Sequence, residues 1–452
     1  MADDADPERD RLSARIGRVA QVGAHVTGAA AAAGAARLFG GDDARMAKAL
    51  KDALGRSKGP LMKVAQLLAT IPDLLPETYA AELRKLQSQA PAMGWPFVRR
   101  RMQAELGPDW RGKFADFDQE AVAAASLGQV HRARAHDGRA LAVKLQYPEM
   151  ASAVEADLAQ LRTLLAMFRN VDRSIDSSEA IEEVSARLRE ELDYERERRH
   201  MALFAAIHDG DAAIATPAPI VDLCTKRLLT MTWLDGEGLM AHLDQDAAVR
   251  NRLAALLFRA WWKPMTAYGV IHGDPHLGNY SFTDDATKLN LLDFGCVRIF
   301  PPRFVGGVVA LYWALLKNDR DAIAAAYEAW GFKNLSQDLI DALSIWARFI
   351  FAPLLDDRVR TVADGVAPAQ YGRREVMEVR TRLRTLGPVT VPREFVFMDR
   401  AAIGLGAAFL HLKAELNFAR LFQDSIAGFQ ESTLEARQSA ALGTVGLGPA
   451  QP

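Results

Sequence analysis

Two short polar motifs in the second half of the chain constrain its fold and its chemistry more than any other feature. The first, Ile-His-Gly-Asp-Pro-His-Leu-Gly-Asn, runs from Ile271 to Asn279, and the second, Leu-Leu-Asp-Phe-Gly, ends at Gly295. Asp274 and Asn279 are five positions apart, and Asp293 follows nineteen positions after Asp274, at the end of an apolar stretch. Either motif alone is a weak indication, but the two together, in this order and spacing, predict one site.

The residue types in these motifs suit the transfer or hydrolysis of a γ-phosphate. Such reactions require Mg²⁺, a hard ion that takes oxygen ligands in octahedral geometry. Asp293 offers a carboxylate and Asn279 a neutral amide oxygen, so both are expected to bind the metal. Asp274 is expected to accept a proton from the attacking hydroxyl or water, or to orient it. Gly295 allows the chain to turn sharply beside the metal.

A cation for the nucleotide phosphates is expected from an earlier strand. Leu141-Ala-Val-Lys144 matches the Val-Ala-Ile-Lys strand motif of kinases and follows an Ala-Ala-Ala-Ser-Leu-Gly-Gln turn that ends at Gln129. An isolated strand lysine is usually a solvated edge residue, but this context favours a phosphate contact for Lys144. The lysine needs a carboxylate partner, which the predicted helix from Ser185 to Met201 offers, although most of its acidic residues are expected to be solvated. The candidates on that helix are Glu190, Glu191, Asp193, Glu195 and Glu197.

Composition and cysteine usage exclude several other functional classes. With a formal net charge of −2 over 452 residues, the chain lacks the positive charge of a protein that binds nucleic acid by neutralising its phosphates. Its two cysteines, Cys224 and Cys296, have no CxxC spacing, so neither a disulfide framework nor a structural zinc site is expected. A reducing, cytoplasmic setting fits, and residues 1–11 lack the apolar core of a secretory signal.

No segment of the sequence makes a convincing transmembrane span. Residues 19–38 are rich in Ala and Gly, which favours a small-residue helix, with a helix lying on a membrane surface as the alternative. The apolar run from Val308 to Leu316 is too short to cross a bilayer, and charged residues interrupt the run from Ala401 to Leu421. A protein that is soluble, or peripheral at the inner membrane, is expected.

The order of predicted elements indicates an α+β chain with a two-lobed, protein-kinase-like fold. Strands are expected at 121–133 and 140–146, a connector near 233–236, and then a mostly helical half with one hairpin at 280–283 and 289–292. Five segments follow from this pattern: an Ala/Gly-rich, partly disordered N-terminal segment (1–42), a helical extension (43–116), a kinase-like N-lobe (117–235), a helical C-lobe (236–432) and a disordered tail (433–452).

At these motifs the chain closely resembles the UbiB/AarF (ABC1-type) family of atypical kinase-like proteins, which is associated with coenzyme Q (ubiquinone) biosynthesis. The resemblance spans roughly residues 45–430. The motifs that carry it are Lys63-Val-Ala-Gln66, Pro72-Asp-Leu-Leu-Pro76, the Ala-rich loop from Ala123 to His131, Glu191-Leu-Asp-Tyr194 with Glu197, and the loop from His272 to Asn279.

The resemblance implies a role for each matching position. Lys144 would contact the phosphates of ATP and would pair with Glu191. Asp274 would lie at the catalytic-base position, with Asn279 and Asp293 on Mg²⁺. The other matching residues would bind the nucleotide or cover the surface where a protein substrate would dock: Ala123, Ala124, Ala125 and Ser126 of the loop, Lys63 and Gln66 of the extension, and Asp193 and Glu197 of the helix.

Some residues of the motifs argue against protein phosphorylation. Alanines at 123–125 in place of glycines add methyl groups to a loop that would otherwise approach phosphates closely, so the protein-kinase geometry is expected to change. His276 occupies the place where many protein kinases carry a phosphate-contacting lysine. Two residues depart from the family pattern, Ala65 at a usual glycine and Leu277 at a usual proline.

Three functions remain open at the level of sequence. The first is an ATP- and Mg²⁺-dependent ATPase or small-molecule (lipid-type) kinase that supports ubiquinone biosynthesis. A lipid or quinone precursor, the membrane surface and enzymes of that pathway are its expected partners. The second is a phosphotransferase of the aminoglycoside or choline kinase type, which shares the His-Gly-Asp-x-His-x-x-Asn loop. The third is a non-catalytic module whose conformation is set by bound nucleotide.

Overall fold

The computed structural model describes residues 92–448, with gaps at 125–126, 149, 157, 160–184, 187, 364, 368–369 and 387–391. The expectations for segment 1–42, for most of the extension and for Lys63 and Gln66 lie outside the described residues. The chain divides into two compact units. Among described residues, unit 1 contains those up to Glu197 together with Pro219–Trp233, and unit 2 contains Arg198–Ala218 and the residues from Leu234 onward.

The regular elements alternate early in the chain and become mainly helical later, as predicted for a two-lobed α+β fold. The strands are β1 Asp116–Ala124, β2 Gly128–Arg134, β3 Ala140–Gln146, β4 Ile214–Ala215, β5 Leu228–Thr232, β6 Glu237–Gly238, β7 Val270–Ile271, β8 Tyr280–Phe282, β9 Leu289–Leu291 and β10 Arg298–Ile299. The principal α-helices are α1 Trp95–Leu106, α2 Tyr194–Ile207, α3 Ala247–Tyr268, α4 Pro302–Lys317, α5 Arg320–Ala329, α6 Gln337–Phe351, α7 Arg373–Leu386, α8 Arg393–His411, α9 Phe418–Ser425 and α10 Glu431–Thr444.

Unit 1 contains one antiparallel sheet with strand order β1-β2-β3-β5. Strand β3 lies in its interior, where Lys144 is in register with Val130 of β2 and Leu229 of β5. The predicted single strand over 121–133 is corrected to two strands, because Ala124 pairs with Gln129 and the chain must reverse within the alanine-rich turn. Lys144 is therefore placed on an interior strand with neighbours on both sides.

Helix α1 packs against this sheet, although the sequence pattern assigns residues 43–116 to a separate extension. Val98 and Met102 of α1 share one buried cluster with Trp110 and with Leu141 and Val143 of β3. Apolar residues four apart on a helix lie on one face, which explains how α1 presents this pair to the sheet. The last part of the predicted extension is thus part of the core of unit 1.

A buried polar network also ties α1 to the sheet. Arg101, only 2% exposed, donates hydrogen bonds to the backbone carbonyls of Gln146 and Tyr147 at the end of β3. Glu105 accepts hydrogen bonds from Arg101, Thr225 and Arg227. Burial raises the pKa of Glu105, but the hydrogen bonds from Thr225 and Arg227 and the charges of Arg227 and Arg101 together outweigh it and hold the pKa below its ordinary value. Glu105 therefore stays ionised beside its two arginines.

Unit 2 is mainly helical and contains two small sheets. Its strand orders are β4-β9-β8-β6 and β10-β7, and β8 with β9 forms the predicted hairpin. Helix α3 places Leu253, Leu257, Trp261 and Met265 on one buried face, as their spacing of four requires. Helices α9 and α10 both contact α3. Among the helices of the described part of the chain, none is both long enough and apolar enough to cross a membrane.

The C-terminal segment from residue 433 was expected to be a disordered tail, and this expectation is wrong for the residues up to Thr444. These residues belong to α10, in which Leu434, Gln438 and Leu442 are buried. The Nε2 atom of Gln438 donates to the carbonyls of Tyr268 and Phe300 at 2.8 and 2.9 Å. The spacing of four puts Leu434, Gln438 and Leu442 on one buried face, in a segment whose Ala- and Gly-rich composition suggests disorder.

His208, at the end of α2 in unit 2, makes the fold sensitive to acid. Its ring is buried, and neither ring nitrogen has a hydrogen-bond partner among the described residues. Burial is the main cause that lowers the pKa of His208, to about 4. The positive charges of Lys263 and Arg259 also lower it, and the carboxylate of Asp211 opposes them with a smaller effect than that of Lys263. Because this value lies below the ordinary 6.5, the folded state loses stability as the pH falls from 6.5 towards 4.

We expect His208→Leu to reduce this acid sensitivity. Between about pH 7 and about pH 5 the wild-type chain should lose about 2 kcal/mol of stability through His208, since one unit of pKa shift corresponds to about 1.4 kcal/mol. Over the same pH range the variant should lose about 2 kcal/mol less stability than the wild-type chain. Urea unfolding followed by tryptophan fluorescence at the two pH values measures the difference. An equal loss in both proteins would show that His208 is protonated without cost in the folded chain.

Candidate functional site

Lys144 of β3 is held by a buried carboxylate in unit 1. Its Nζ atom donates to both carboxylate oxygens of Glu197, at 2.7 and 2.9 Å. The Glu197 side chain is 2% exposed and that of Lys144 is 20% exposed. The ring of Tyr194 lies 5.1 Å from the same Nζ, so the ammonium group also contacts an aromatic face. A paired lysine of this kind is directed rather than freely mobile.

The partner of Lys144 is therefore Glu197, which corrects the expected pairing with Glu191. The chain turns at Leu192 and Asp193, and α2 begins only at Tyr194. Asp193 caps this helix, because its Oδ1 accepts a hydrogen bond from the Arg196 N–H at 2.9 Å. Glu197 and Tyr194 are three positions apart and share the buried face of the first turn. Asp193, expected to enter the site, is exposed at this cap.

The alanine-rich loop follows β1 and precedes Lys144 in the same sheet. Ala123 and Ala124 are the last residues of β1, paired with Val130 and Gln129, whereas Ala125 and Ser126 lie outside the described residues. Gly128 begins β2, and a Cβ atom there would lie 2.5 Å from the Leu145 carbonyl oxygen and 2.8 Å from the Tyr194 hydroxyl. The chain that leaves the loop is thus packed too closely on its neighbours for any side chain.

The loop from His272 to Asn279 orients its polar groups internally. The Nδ2 atom of Asn279 donates to Asp274 Oδ2 at 2.9 Å and to the Asp274 carbonyl at 3.3 Å. In this orientation the amide nitrogen bonds to Asp274, and the amide oxygen is available to another ligand. The His276 N–H lies 3.3 Å from Asp274 Oδ1, and His276 Nδ1 accepts from the Gly278 N–H. Asp274 is therefore fixed by backbone and side-chain donors on both oxygens.

Two strand pairings bring Asp293 close to this loop. The Asn279 carbonyl accepts a hydrogen bond from the Leu292 N–H at 3.1 Å, which places Asn279 beside the residue that precedes Asp293. Strands β7 and β10 pair on the other side, with Ile271 opposite Arg298. The Gly295 N–H donates to Asp293 Oδ1 at 2.9 Å. The amide oxygen of Asn279 and the carboxylate of Asp293 are both hard oxygen donors, so these residues fit Mg²⁺.

Gly273 allows the two motifs to approach each other. Its φ of +70° is a conformation that side-chain-bearing residues rarely adopt, and a Cβ atom would lie 2.0 Å from the Cys296 carbonyl oxygen. Pro275 contacts a second glycine, because a Cβ atom at Gly404 of α8 would lie 2.1 Å from its Cγ. The loop that carries Asp274 is thus confined by close backbone contacts on two sides.

Aromatic packing in unit 2 supports the Asp-Phe-Gly turn. Phe294 is fully buried, and its ring centroid lies 5.3 Å from Phe204 of α2 and 5.7 Å from His272. The Nδ1 atom of His200 lies 3.1 Å from the Phe294 carbonyl oxygen and donates to it. Burial, and then the charge of Asp274, raises the pKa of Tyr280 above its ordinary value, so its hydroxyl remains protonated.

Lys144, Asp274, Asn279 and Asp293 remain the predicted site residues. Sequence reasoning included Tyr194 only as part of a motif and missed His200 and Phe204, which support the site. All three lie on the buried face of α2 with Glu197, and the apolar spacing of Tyr194, Met201 and Phe204 could have indicated this face. Lys144 and Glu197 belong to unit 1, whereas Asp274, Asn279 and Asp293 belong to unit 2.

The fold and these residues define a protein of the protein-kinase-like class. Residues 85–327 match the ABC1 atypical kinase-like domain, and the chain belongs to that family. This assignment agrees with the resemblance based on the Ala-rich loop and the His-Gly-Asp motif.

Relatives and a solved structure support the same family. AarF domain-containing protein kinase 1 of Xenopus tropicalis is 28% identical over 367 residues, which cover 78% of this chain and 68% of that protein. The mitochondrial atypical kinase COQ8 of Saccharomyces cerevisiae is 29% identical over 251 residues, 55% of this chain and half of that protein's length. The Rv3197 protein of Mycobacterium tuberculosis, solved in complex with erythromycin, is 25% identical with a TM-score of 0.59 and covers 89% of this chain and 98% of its own.

We expect Gly273→Ala to destabilise unit 2 strongly. The substitution combines a left-handed backbone, worth about 1–2 kcal/mol, with a clash against the Cys296 carbonyl, worth about 1–3 kcal/mol. Gly138→Ala is the control, because Gly138 also has positive φ, +87°, but a Cβ atom there meets nothing within 4 Å. Denaturant unfolding of both variants should show the larger loss at Gly273. Equal losses would mean that Cys296 moves away without cost.

Proposed function

We propose that this chain binds ATP with Mg²⁺ and acts as an atypical kinase-like ATPase or small-molecule kinase that supports ubiquinone biosynthesis. The proposal rests on the orientation of the Asn279 side-chain amide. Its amide nitrogen is held by Asp274, so its oxygen is available as a metal ligand next to the strand end that carries Asp293. The charged Lys144 on an interior strand supplies the cation that a nucleotide phosphate requires.

Each residue has a separate task in the proposed reaction. Lys144, aligned by Glu197, neutralises phosphate oxygens as negative charge builds up on them. Asn279 and Asp293 would hold Mg²⁺, which would supply positive charge against the phosphates. Asp274 orients the attacking hydroxyl or water and receives its proton at a carboxylate oxygen. The Asn279 and His276 donors hold that carboxylate in place.

The phosphoryl acceptor is proposed to be water or a small lipid-type molecule rather than a protein. The alanines of the loop and His276 in place of a lysine support this view. Family membership and the COQ8 relatives support a place in ubiquinone biosynthesis, with a quinone precursor or membrane lipid as ligand. The erythromycin complex of the related structure adds one macrolide to the small molecules worth testing as ligands.

We expect Asp293→Asn to abolish binding of Mg²⁺-ATP, because the neutral amide removes the one charged oxygen ligand of the proposed metal site. Isothermal titration calorimetry with and without Mg²⁺ measures this loss. Asp284→Asn is the matched control, since Asp284 is an exposed carboxylate in the turn between β8 and β9 and should leave affinity unchanged. Undiminished binding by Asp293→Asn would refute the proposed metal site.

ATP turnover by the same proteins separates the three candidate functions. Stimulation of wild-type turnover by a ubiquinone-precursor mimic or by lipid vesicles, with no turnover by Asp293→Asn, is the expected result. Phosphate transfer to choline or an aminoglycoside at an ordinary rate of about ten per second would favour the phosphotransferase alternative. Full complementation of a deletion strain by Asp274→Asn would favour the non-catalytic module.

We also expect Glu197→Gln to weaken ATP binding by at least about tenfold, because loss of one partner from a buried ion pair costs several kcal/mol and releases Lys144. Glu191→Gln is the matched control and should change the affinity by less than about twofold. Titration of a fluorescent ATP analogue into both variants measures the two effects. A larger loss of affinity in Glu191→Gln than in Glu197→Gln would mean that Glu191 is the functional partner of Lys144.

A further inference from the structure

Gln146 is a buried side chain of β3 that no catalytic motif includes. It is 1% exposed, and its Nε2 atom donates to the backbone carbonyl of Leu192 at 2.6 Å. Leu192 lies in the turn immediately before α2, two residues from the start of that helix. A buried amide that contacts this turn has a direct effect on where the helix begins.

Lys144 and Gln146 act on the same segment from the same strand. Residues two apart on a strand point to the same face, and the contacts confirm it here: Lys144 reaches Glu197 in the first turn of α2, and Gln146 reaches Leu192 before that turn. The first contact is ionic and the second is neutral. Strand β3 thus holds the beginning of α2 at two points, one on each side of Asp193.

Hydrogen bonds to the backbone fix the position of Gln146 at the end of β3. Arg101 donates to the Gln146 carbonyl at 3.1 Å and to the Tyr147 carbonyl at 3.0 Å, while the Gln146 N–H donates to the Arg227 carbonyl at 3.1 Å. These bonds fix the end of β3 from both sides. The carbonyl of Leu192 therefore receives its donor from a rigid strand and not from a mobile loop.

We propose that Gln146 is a positioning residue for the nucleotide lysine. It holds the turn before α2 so that Glu197 stays against Lys144, and without it the helix start can withdraw from β3 while the chain remains folded. Its effect on ATP rests on the proposed function, but its effect on the Lys144–Glu197 pair does not.

The first measurement is the rate at which a lysine-directed acylating reagent modifies Lys144, followed by mass spectrometry of the full chain. Gln146→Met keeps the length of the side chain and removes the donor. We expect it to raise the modification rate of Lys144 at least about fivefold, since its Nζ atom is then no longer held against the Glu197 carboxylate and is open to the reagent. The thermal midpoint of the variant shows that it is folded.

Gln129→Met is the matched control. Gln129 of β2 is equally buried, and its amide also bonds to backbone, accepting from the Met93 N–H at 2.7 Å and donating to the Met93 carbonyl at 3.2 Å. This substitution removes these bonds and the 2.8 Å contact between Gln129 Nε2 and His131 Nε2, a larger loss from the same sheet that leaves Leu192 untouched. The modification rate of Lys144 should stay within about twofold of wild type, because the Glu197 pair is intact.

The second measurement is a double-mutant cycle for Mg²⁺-ATP affinity with Gln146→Met and Glu197→Gln. Gln146→Met alone should weaken binding by about tenfold, but in the Glu197→Gln background it should add less than about twofold. A residue with a general structural role would weaken binding by the same factor in both backgrounds.

The outcomes separate the two proposals. An unchanged Lys144 rate in folded Gln146→Met, or equal rates in Gln146→Met and Gln129→Met, would overturn the positioning role. If Gln146→Met does not fold, Gln146→Asn, which keeps the amide but shortens its reach by one methylene, decides by the same measurement. A wild-type chain that binds no ATP while Gln146→Met still accelerates modification of Lys144 would refute the proposed function and leave the positioning role standing.

Discussion

The buried ion pair between Lys144 and Glu197 is the interaction on which the arrangement of unit 1 depends. Removing charged groups from water is costly, and such a pair persists only where its geometry is good and its surroundings are rigid. Both conditions hold here, because Lys144 lies on an interior strand, both oxygens of Glu197 accept from its Nζ, and the Tyr194 ring covers it. The fixed strand end at Gln146 and the capped helix start at Asp193 supply the rigidity that the pair requires.

Unit 2 meets a different constraint, which is the close approach of two backbone segments. The loop of Asp274 and the turn of Asp293 are brought together by the β7–β10 pair, by the Asn279–Leu292 hydrogen bond and by a glycine where no Cβ atom fits. The Phe294 ring packs against Phe204 and His272 and so holds the turn of Asp293 in place. These contacts are short-ranged and directional, so they hold the acidic and amide groups in fixed positions.

These two arrangements are consistent with the proposed nucleotide chemistry and with an acceptor other than a protein. The residues that would contact phosphate and metal are those of a phosphoryl-transfer site. The alanines before Gly128 and the histidine at position 276 differ from the usual residues of protein kinases, so it is the surroundings of that site that differ. We therefore associate the proposed activity with hydrolysis or a small acceptor, and we attribute the specificity to the loop and not to the residues that would bind Mg²⁺.

The sequence by itself determined the fold class and the β8–β9 hairpin, and it predicted Lys144, Asp274, Asn279 and Asp293 as site residues, because these depend on local spacing and on the chemistry of each side chain. The choice of Glu197 over Glu191 was decided only by the tertiary structure, since it depends on where the chain turns before α2 and on which face of the helix meets β3. The same holds for helix α10, whose stripe of Leu434, Gln438 and Leu442 has meaning only against its neighbours. Periodicity can indicate the buried face of a helix, but long-range packing decides which residue of that face meets which neighbour.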